Sequence, residues 1–173
     1  FDRSGGNMDW ARWEGLGPDG LITIASLKGP GCIKRLWITN VPATRWLIFI
    51  DGEKEARIQG NGEFGLFGKE APFLPPLCDV LSGGCYNYVP IPFARSCRIA
   101  VQVKTFDPNM RPYYQVQYET YGPDVRVESF PRVLTAEHQR LLEDARRVWE
   151  HPETEHARVV EALAPLTRFE LAP

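Results

Sequence analysis

Apolar and polar positions alternate in short runs over residues 1–130, and turn-forming residues separate the runs. Leu21-Ile22-Thr23-Ile24 follows the turn signal Gly17-Pro18-Asp19-Gly20. Gly29-Pro30-Gly31 then breaks the chain before the run Cys32 to Thr39, which closes on Asn40-Val41-Pro42-Ala43. Arg45 to Ile50 is the next run, closed by Asp51-Gly52, a strong hairpin signal because both residues tolerate positive φ. Alternation resumes at Tyr86 to Pro90 and again at Cys97 to Val103. From Tyr113 to Tyr121 it sets Tyr114, Val116, Tyr118 and Thr120 on one face and Gln115, Gln117 and Glu119 on the other. Short strands punctuated in this way predict an all-β fold, an antiparallel β-sandwich, with Trp37, Leu47, Phe49, Ile99 and Val101 in its core.

Two stretches break the pattern. Residues 60–88 are rich in Gly, Pro and Phe and lack a clear period. A long irregular stretch inside a compact domain is usually functional or poorly ordered, and Phe64, Phe67 and Phe73 argue against disorder. Beyond residue 130 the period lengthens. Thr135 can cap a helix whose apolar stripe is Leu141, Leu142, Ala145, Val148 and Trp149, with Pro152 ending it. Thr154 can cap a second short helix carrying Ala157, Val160 and Leu163. The organisation expected is a sandwich over 1–130, a helical extension or linker over 131–165, and the start of a second, truncated β module over 166–173.

Composition narrows the function classes. The chain has 173 residues and a formal charge of −2, with no basic stripe, so nucleic acid is not an expected partner. The longest apolar run, Trp46 to Ile50, suits a buried strand and falls far short of a membrane span. The sequence opens on Phe1 without a targeting segment and reads as an excerpt of a longer protein, so it assigns no compartment. The four cysteines, Cys32, Cys78, Cys85 and Cys97, form no CxxC pair, and the three histidines all lie in the C-terminal tail. Buried free thiols are the better reading, and neither a metal site nor a cofactor is expected.

Two strings carry the candidate chemistry. The first contains Asp2, Arg3, Ser4, Gly5, Gly6, Asn7, Asp9 and Trp10. Arg3 offers a planar donor fork, the aspartates accept, Asn7 does both, and Trp10 and Trp13 provide faces for a sugar ring. That mixture suits a polyhydroxylated ligand; a solvated loop with an internal Asp–Arg pair is the plainer alternative. The second string runs from Pro76 to Tyr88 and contains Asp79, Ser82, Gly83, Gly84 and Asn87. Its glycine turn exposes backbone N–H groups, but without a following lysine or helix it is no P-loop, and a turn before a strand would explain it equally. Glycosidic chemistry needs two facing acids, and the spacing of Asp2, Asp9, Glu63, Asp79 and Glu119 favours no pair. Glu119 reads as part of a solvated sheet face, so no residue is assigned a catalytic role.

These strings and three further segments, in order, resemble a known family. Phe1 to Asn7 is similar to its Phe/Tyr-Asp-Arg-Thr-Gly-Gly-Asn opening, and Lys28 to Thr39 to its Gly-Pro-Gly-x-Ile strand. Phe49 to Glu53 is similar to its FDGE hairpin, Asp79 to Phe93 to its PLSGGxNxYxPMPF segment, and Tyr113 to Glu119 to its closing strand. The family is domain of unknown function 2961, also classed as glycoside hydrolase family 172, and the resemblance covers residues 1–121. It implies a jelly roll paired with a second jelly roll, and homo-oligomers, trimers or their multiples, that share active sites between protomers. It also implies retaining hydrolysis of furanosides such as α-D-fructofuranosides and D-arabinofuranosides by two glutamates. Those glutamates belong to the second jelly roll, near a Gly-Thr-Glu-Asp-Tyr-Phe motif that this chain lacks. The chain departs from the pattern at Ser4, at Gly84-Cys85-Tyr86-Asn87, and loosely at Glu63 to Gly68. The expectation is an N-terminal jelly-roll module that supplies carbohydrate-contacting and interface residues; a non-catalytic glycan-binding or oligomer-building sandwich is the alternative.

Overall fold

A computed structural model of the chain describes residues 16–39, 41–107 and 113–154. The first unit is a sandwich of two antiparallel sheets. Its strands are β1 (Ile22–Lys28), β2 (Gly31–Thr39), β3 (Ala43–Ile50), β4 (Ile58–Asn61), β5 (Cys78–Leu81), β6 (Gly84–Asn87), β7 (Ile91–Phe93), β8 (Ser96–Val103) and β9 (Tyr113–Thr120). One sheet has the order β1-β8-β3-β4. The other is built round β2, with β5 and β6 and then β7 along one edge and β9 along the opposite edge. The pairs β1/β8 and β2/β7 nest one inside the other, the winding of a jelly roll.

The core forms where the two inner faces meet. Ile22, Trp46, Ile48, Ile50, Ile99 and Val101 line the four-stranded sheet, and Ile33, Leu36 and Ile38 the five-stranded one, all nearly or fully buried. Ile99 and Val101 therefore take the expected place, but the expected face of two strands is corrected. In β3, Trp46, Ile48 and Ile50 pair with Val101, Ile99 and Cys97 and point inward, so Leu47 and Phe49 belong to the outer face. Leu47 is buried there, whereas Phe49 is half-buried under the Arg98 guanidinium, 4.2 Å from its ring centre. The Trp46 indole settles inside because Nε1 donates to the Glu63 carbonyl at 2.9 Å. In β2 the register against β9 slips between Ile33 and Arg35, leaving Lys34 as the extra residue of a β-bulge. The slip puts Ile33, Leu36 and Ile38 on one face despite their parity, and Trp37 moves outside with Arg35.

Within the aperiodic stretch 60–88, whose aromatic residues argue against disorder, residues 62–77 act as packing. Leu66, Phe67, Phe73 and Leu77 are buried, and Phe67 meets Trp46 edge-on at 5.4 Å between ring centres. The segment after β9 also belongs to this unit. Phe130 stacks on Phe73, its N–H donates to the Pro92 carbonyl, and its own carbonyl accepts from Arg57 Nη1. The chain divides into its two units between Leu134 and Thr135, four residues beyond the expected boundary at 130.

The second unit begins with α1 (Ala136–Glu150). Thr135 caps it as expected: its hydroxyl accepts from the His138 N–H, and the His138 ring returns to the Thr135 N–H. No residue of α1 is buried, and Leu141, Val148 and Trp149 of the apolar stripe are exposed. The expected second helix and the opening of a second β module lie outside the described residues.

Candidate functional site

The Asp79–Asn87 string folds as a single hairpin, β5 and β6 joined by Ser82-Gly83. Both turn residues have positive φ, 52° and 77°, so the string is a two-residue hairpin and its first glycine serves the turn. The second glycine serves a close approach. A Cβ on Gly84 would stand 2.7 Å from Trp37 Nε1, so the indole lies directly on this residue's backbone. Thr39 Oγ1 donates to the Gly83 carbonyl at 2.7 Å and ties the turn to β2.

The members of the string do not share a face. Asn87 is 1% exposed; its amide donates to the Leu66 carbonyl and accepts from the Val89 N–H, both at 2.9 Å. These bonds anchor the 62–77 segment against β6 and give Asn87 a structural task, where sequence reasoning placed it against a ligand. Asp79 is on the opposite face, half-buried, with Oδ1 accepting from the Val80 N–H. Ser82 and Gly83 are exposed at the turn. The expected first string, Asp2 to Trp10, lies outside the described residues.

Directly opposed residues of antiparallel strands share a face. The pairings Asp79 with Tyr86, Tyr86 with Trp37, and Trp37 with Gln115 therefore set four side chains in one row across β5, β6, β2 and β9. The partners of the next residues, Cys85 with Ile38 and Asn87 with Leu36, are buried, so the row is on the outer face. Beside it stand Arg35 and Gln117, which oppose each other. Arg35 Nη1 donates to Gln115 Oε1 at 2.9 Å, and its guanidinium carbon lies 5.7 Å from the Tyr88 ring centre. Tyr88 in turn meets Tyr86 at 5.6 Å, and the Tyr86 hydroxyl donates to the Pro76 carbonyl. Arg35 Nε is buried without a hydrogen-bond partner among the described residues. The face thus combines three half-buried aromatic rings with one cation, one carboxylate and two exposed amides. Sequence reasoning missed Arg35, Trp37, Tyr86, Tyr88, Gln115 and Gln117 as a group, because three strands, β2, β6 and β9, and the residue after β6 contribute them.

The outer face of the other sheet carries a shallow groove of about 360 Å³, lined among others by Ser26, Phe49, Lys54 and Arg98. Its charges are largely engaged: Arg98 pairs with Asp19 at 2.8 Å, and Glu53 with Arg57 and Arg132. The Arg57 hydrogen bond, with support from Arg132, holds the Glu53 carboxyl below its ordinary range. Glu119 is exposed and pairs with Lys34 at 3.2 Å.

Asp79 and Glu119 are separated by three strand spacings and four residues, roughly 19 Å by ordinary sheet dimensions. Glycosidase carboxylates work at about 5–9.5 Å, so these two do not form such a pair. The cysteines are all free and buried, as read from the sequence. Burial pushes the Cys85 thiol up to about 11 and the Cys97 thiol up to about 12, which leaves neither a ready nucleophile. Among the described residues there is no cluster of three or more His, Cys, Asp or Glu side chains able to hold a metal ion, and no helix long and apolar enough to cross a membrane.

Comparison with known proteins gives one family. No curated protein matches the chain. The description "GH172 first beta-sandwich domain" matches residues 1–138, most of the chain and the whole of the two-sheet body. The order of motifs and the antiparallel sandwich agree with that match, and the chain belongs to the GH172 first β-sandwich domain family.

Proposed function

We propose that this chain is the N-terminal jelly-roll module of a retaining glycoside hydrolase acting on furanosides, of the fructofuranoside or D-arabinofuranoside type. Its task is to contact the sugar and to form part of an oligomer interface, while a second jelly-roll module supplies the catalytic glutamates. The observation that carries this reading is the family match over residues 1–138. The separation of Asp79 from Glu119 supports the division of labour, since these two carboxylates stand too far apart to act on one glycosidic bond. In this reading Asp2, Arg3, Ser4, Gly5, Gly6, Asn7, Asp9 and Trp10 meet the sugar together with Asp79 and the Ser82-Gly83-Gly84 turn, and the assembly is a homo-oligomer, a trimer or a multiple of one.

The test compares chain 1–173 with a protein that continues into a second module, using aryl α-D-fructofuranoside and aryl D-arabinofuranoside. The longer protein is expected to release the aryl group with retention of configuration, read by NMR of the first-formed sugar, and chain 1–173 to stay at background. Arg3→Ala in the longer protein should raise the barrier by about 2–4 kcal/mol, the cost of losing a charged hydrogen-bonding group at a transition state. Strong hydrolysis by chain 1–173 alone would overturn the division of labour, and an Arg3→Ala protein with normal turnover would remove the first string from the site.

A further inference from the structure

The outer face of the five-stranded sheet has features that its role in packing does not explain. Trp37, Tyr86 and Tyr88 are large aromatic residues on a strand face that turns away from the core, where a solvated sheet would carry small or charged side chains. Their rings are held in place: Trp37 by Gly84 beneath it, Tyr86 by its bond to Pro76, and Tyr88 by Arg35 and Tyr86. Among them stand groups with hydrogen-bonding capacity left over. Gln117 is exposed without a partner among the described residues, the Gln115 amide nitrogen is uncommitted there, and Arg35 Nε is a buried donor with no acceptor. Asp79 and Arg35 offset each other in charge, so the face attracts neither a polyanion nor a polycation.

We infer that this face binds a neutral glycan strand laid across β6, β2 and β9, with Trp37 and Tyr86 as the platform and Arg35, Gln115 and Gln117 bonding its hydroxyls. A sugar ring offers an apolar C–H face and an equatorial belt of hydroxyls, which is the complement of fixed rings bordered by amides and a guanidinium. The row from Asp79 to Gln115 spans about 14 Å, room for more than one sugar unit. Because the rings and Arg35 are already held by neighbours, little of their conformational entropy is lost when the ligand arrives. The inference takes its ligand class from the proposed function, but it concerns binding by this chain and no bond cleavage.

The experiment is isothermal titration of the full 173-residue chain with arabino-oligosaccharides and with fructo-oligosaccharides. Binding of one of the two is expected, with Trp37→Ala weakening it at least tenfold. Trp37→Ala can loosen the sheet, so the double variant Gln115→Ala/Gln117→Ala, in exposed positions, is measured beside it and should weaken binding at least threefold with a melting temperature lowered by only a few degrees. Gln102→Ala, exposed on the other sheet, should bind as the parent does. Absence of binding to both series would overturn the inference, as would binding that survives both Trp37→Ala and the Gln115→Ala/Gln117→Ala variant and is lost in Arg3→Ala. Neither result would touch hydrolysis by the longer protein, so this inference and the proposed function fail separately.

Discussion

The polar groups of the two sheets serve opposite ends. Around the four-stranded sheet they face one another: Asp51 Oδ1 accepts from the Arg95 and Ser96 N–H groups, and Oδ2 from the Ser129 hydroxyl. Glu53 bonds Arg57 and Arg132, and Arg57 continues to the Phe130 carbonyl. These contacts join three separate segments of chain, the 51–57 loop, the 94–96 turn and the 129–132 segment, so their charge is consumed in holding the fold. On the outer face of the five-stranded sheet, Gln115, Gln117, Asp79 and Arg35 Nε keep capacity that the fold does not use. Polar groups whose loss would loosen the structure thus dominate one outer face, and polar groups with bonding capacity to spare are gathered on the other. That separation gives a way to tell stability from binding.

The largest effect should come from a buried polar residue that crosses this division. Asn87 is in the same hairpin as Asp79 but faces the core. Asn87→Ala leaves the Leu66 carbonyl and the Val89 N–H without their partner in a buried setting, and should cost about 3–4 kcal/mol in urea denaturation. Asp79→Asn, eight residues earlier on the outer face, should cost less than about 0.5 kcal/mol. Equal costs for the two would erase the distinction between faces.

Asp51→Ala comes next, at about 2–3 kcal/mol, because three donors from two other segments lose a charged acceptor. The same residue gives the molecule an acid limb. Burial pushes its carboxyl up, but hydrogen bonds from Ser129, Arg95 and Ser96 outweigh it and hold the group below its ordinary range. A folded pKa below the unfolded value means the stabilisation is complete above the unfolded value, about 3.9, and is lost as pH falls through the folded one. Denaturation midpoints between pH 5 and pH 2 should therefore fall less steeply in Asp51→Asn than in the parent. An unchanged slope would detach Asp51 from the acid response.

These differences bear on what could be read from the residues alone. The turns and six of the nine strands were legible because turn chemistry is local: Asp51-Gly52 and Ser82-Gly83 both adopt the positive φ that their residue types permit, whereas the short strands β4, β5 and β7 left no alternation to read. The faces of the strands were not. The run Trp46 to Ile50 is apolar at every position, so no alternation marks its inner side, and a single bulge residue, Lys34, reverses parity halfway along β2 without a compositional mark. The same bulge hid the aromatic face, since Trp37 reads as core until the register slips. Gln115 and Gln117 were visible as the polar side of an alternating strand, but their opposition to Trp37 and Arg35 is a long-range pairing. Of the second candidate string, the turn and Asp79 reach the surface while Asn87 does not, a difference set by its register against Leu36.

A smaller effect isolates the seat of Trp37. Gly84→Ala places a methyl group where the indole edge now lies, so the ring must lift or the hairpin must shift. The cost should be about 1–2 kcal/mol, in the range of overpacking but below a core site because the indole is half-buried and has room to move outward. Lifted into water, Trp37 should emit at longer wavelength, and Trp37→Phe in the Gly84→Ala background should recover part of the lost stability. A Gly84→Ala protein as stable as the parent, with unchanged emission, would mean that the second glycine is not needed to seat the ring.

The smallest expected effect is the most demanding of the comparison. Gln117→Ala removes an amide that is exposed and, among the described residues, without a partner, on a strand that pairs there with β2 alone. The fold should not register it: the change in unfolding free energy should stay within about 0.5 kcal/mol, as for surface substitutions away from caps, pairs and turns. Gln115→Ala differs by one contact, the bond from Arg35, and should cost slightly more, up to about 1 kcal/mol for a part-exposed hydrogen bond to a charged donor. The ordering matters more than the sizes. If Gln117→Ala destabilised the chain more than Gln115→Ala, Gln117 would be part of the scaffold, and the outer face of the five-stranded sheet would be organised like that of its neighbour.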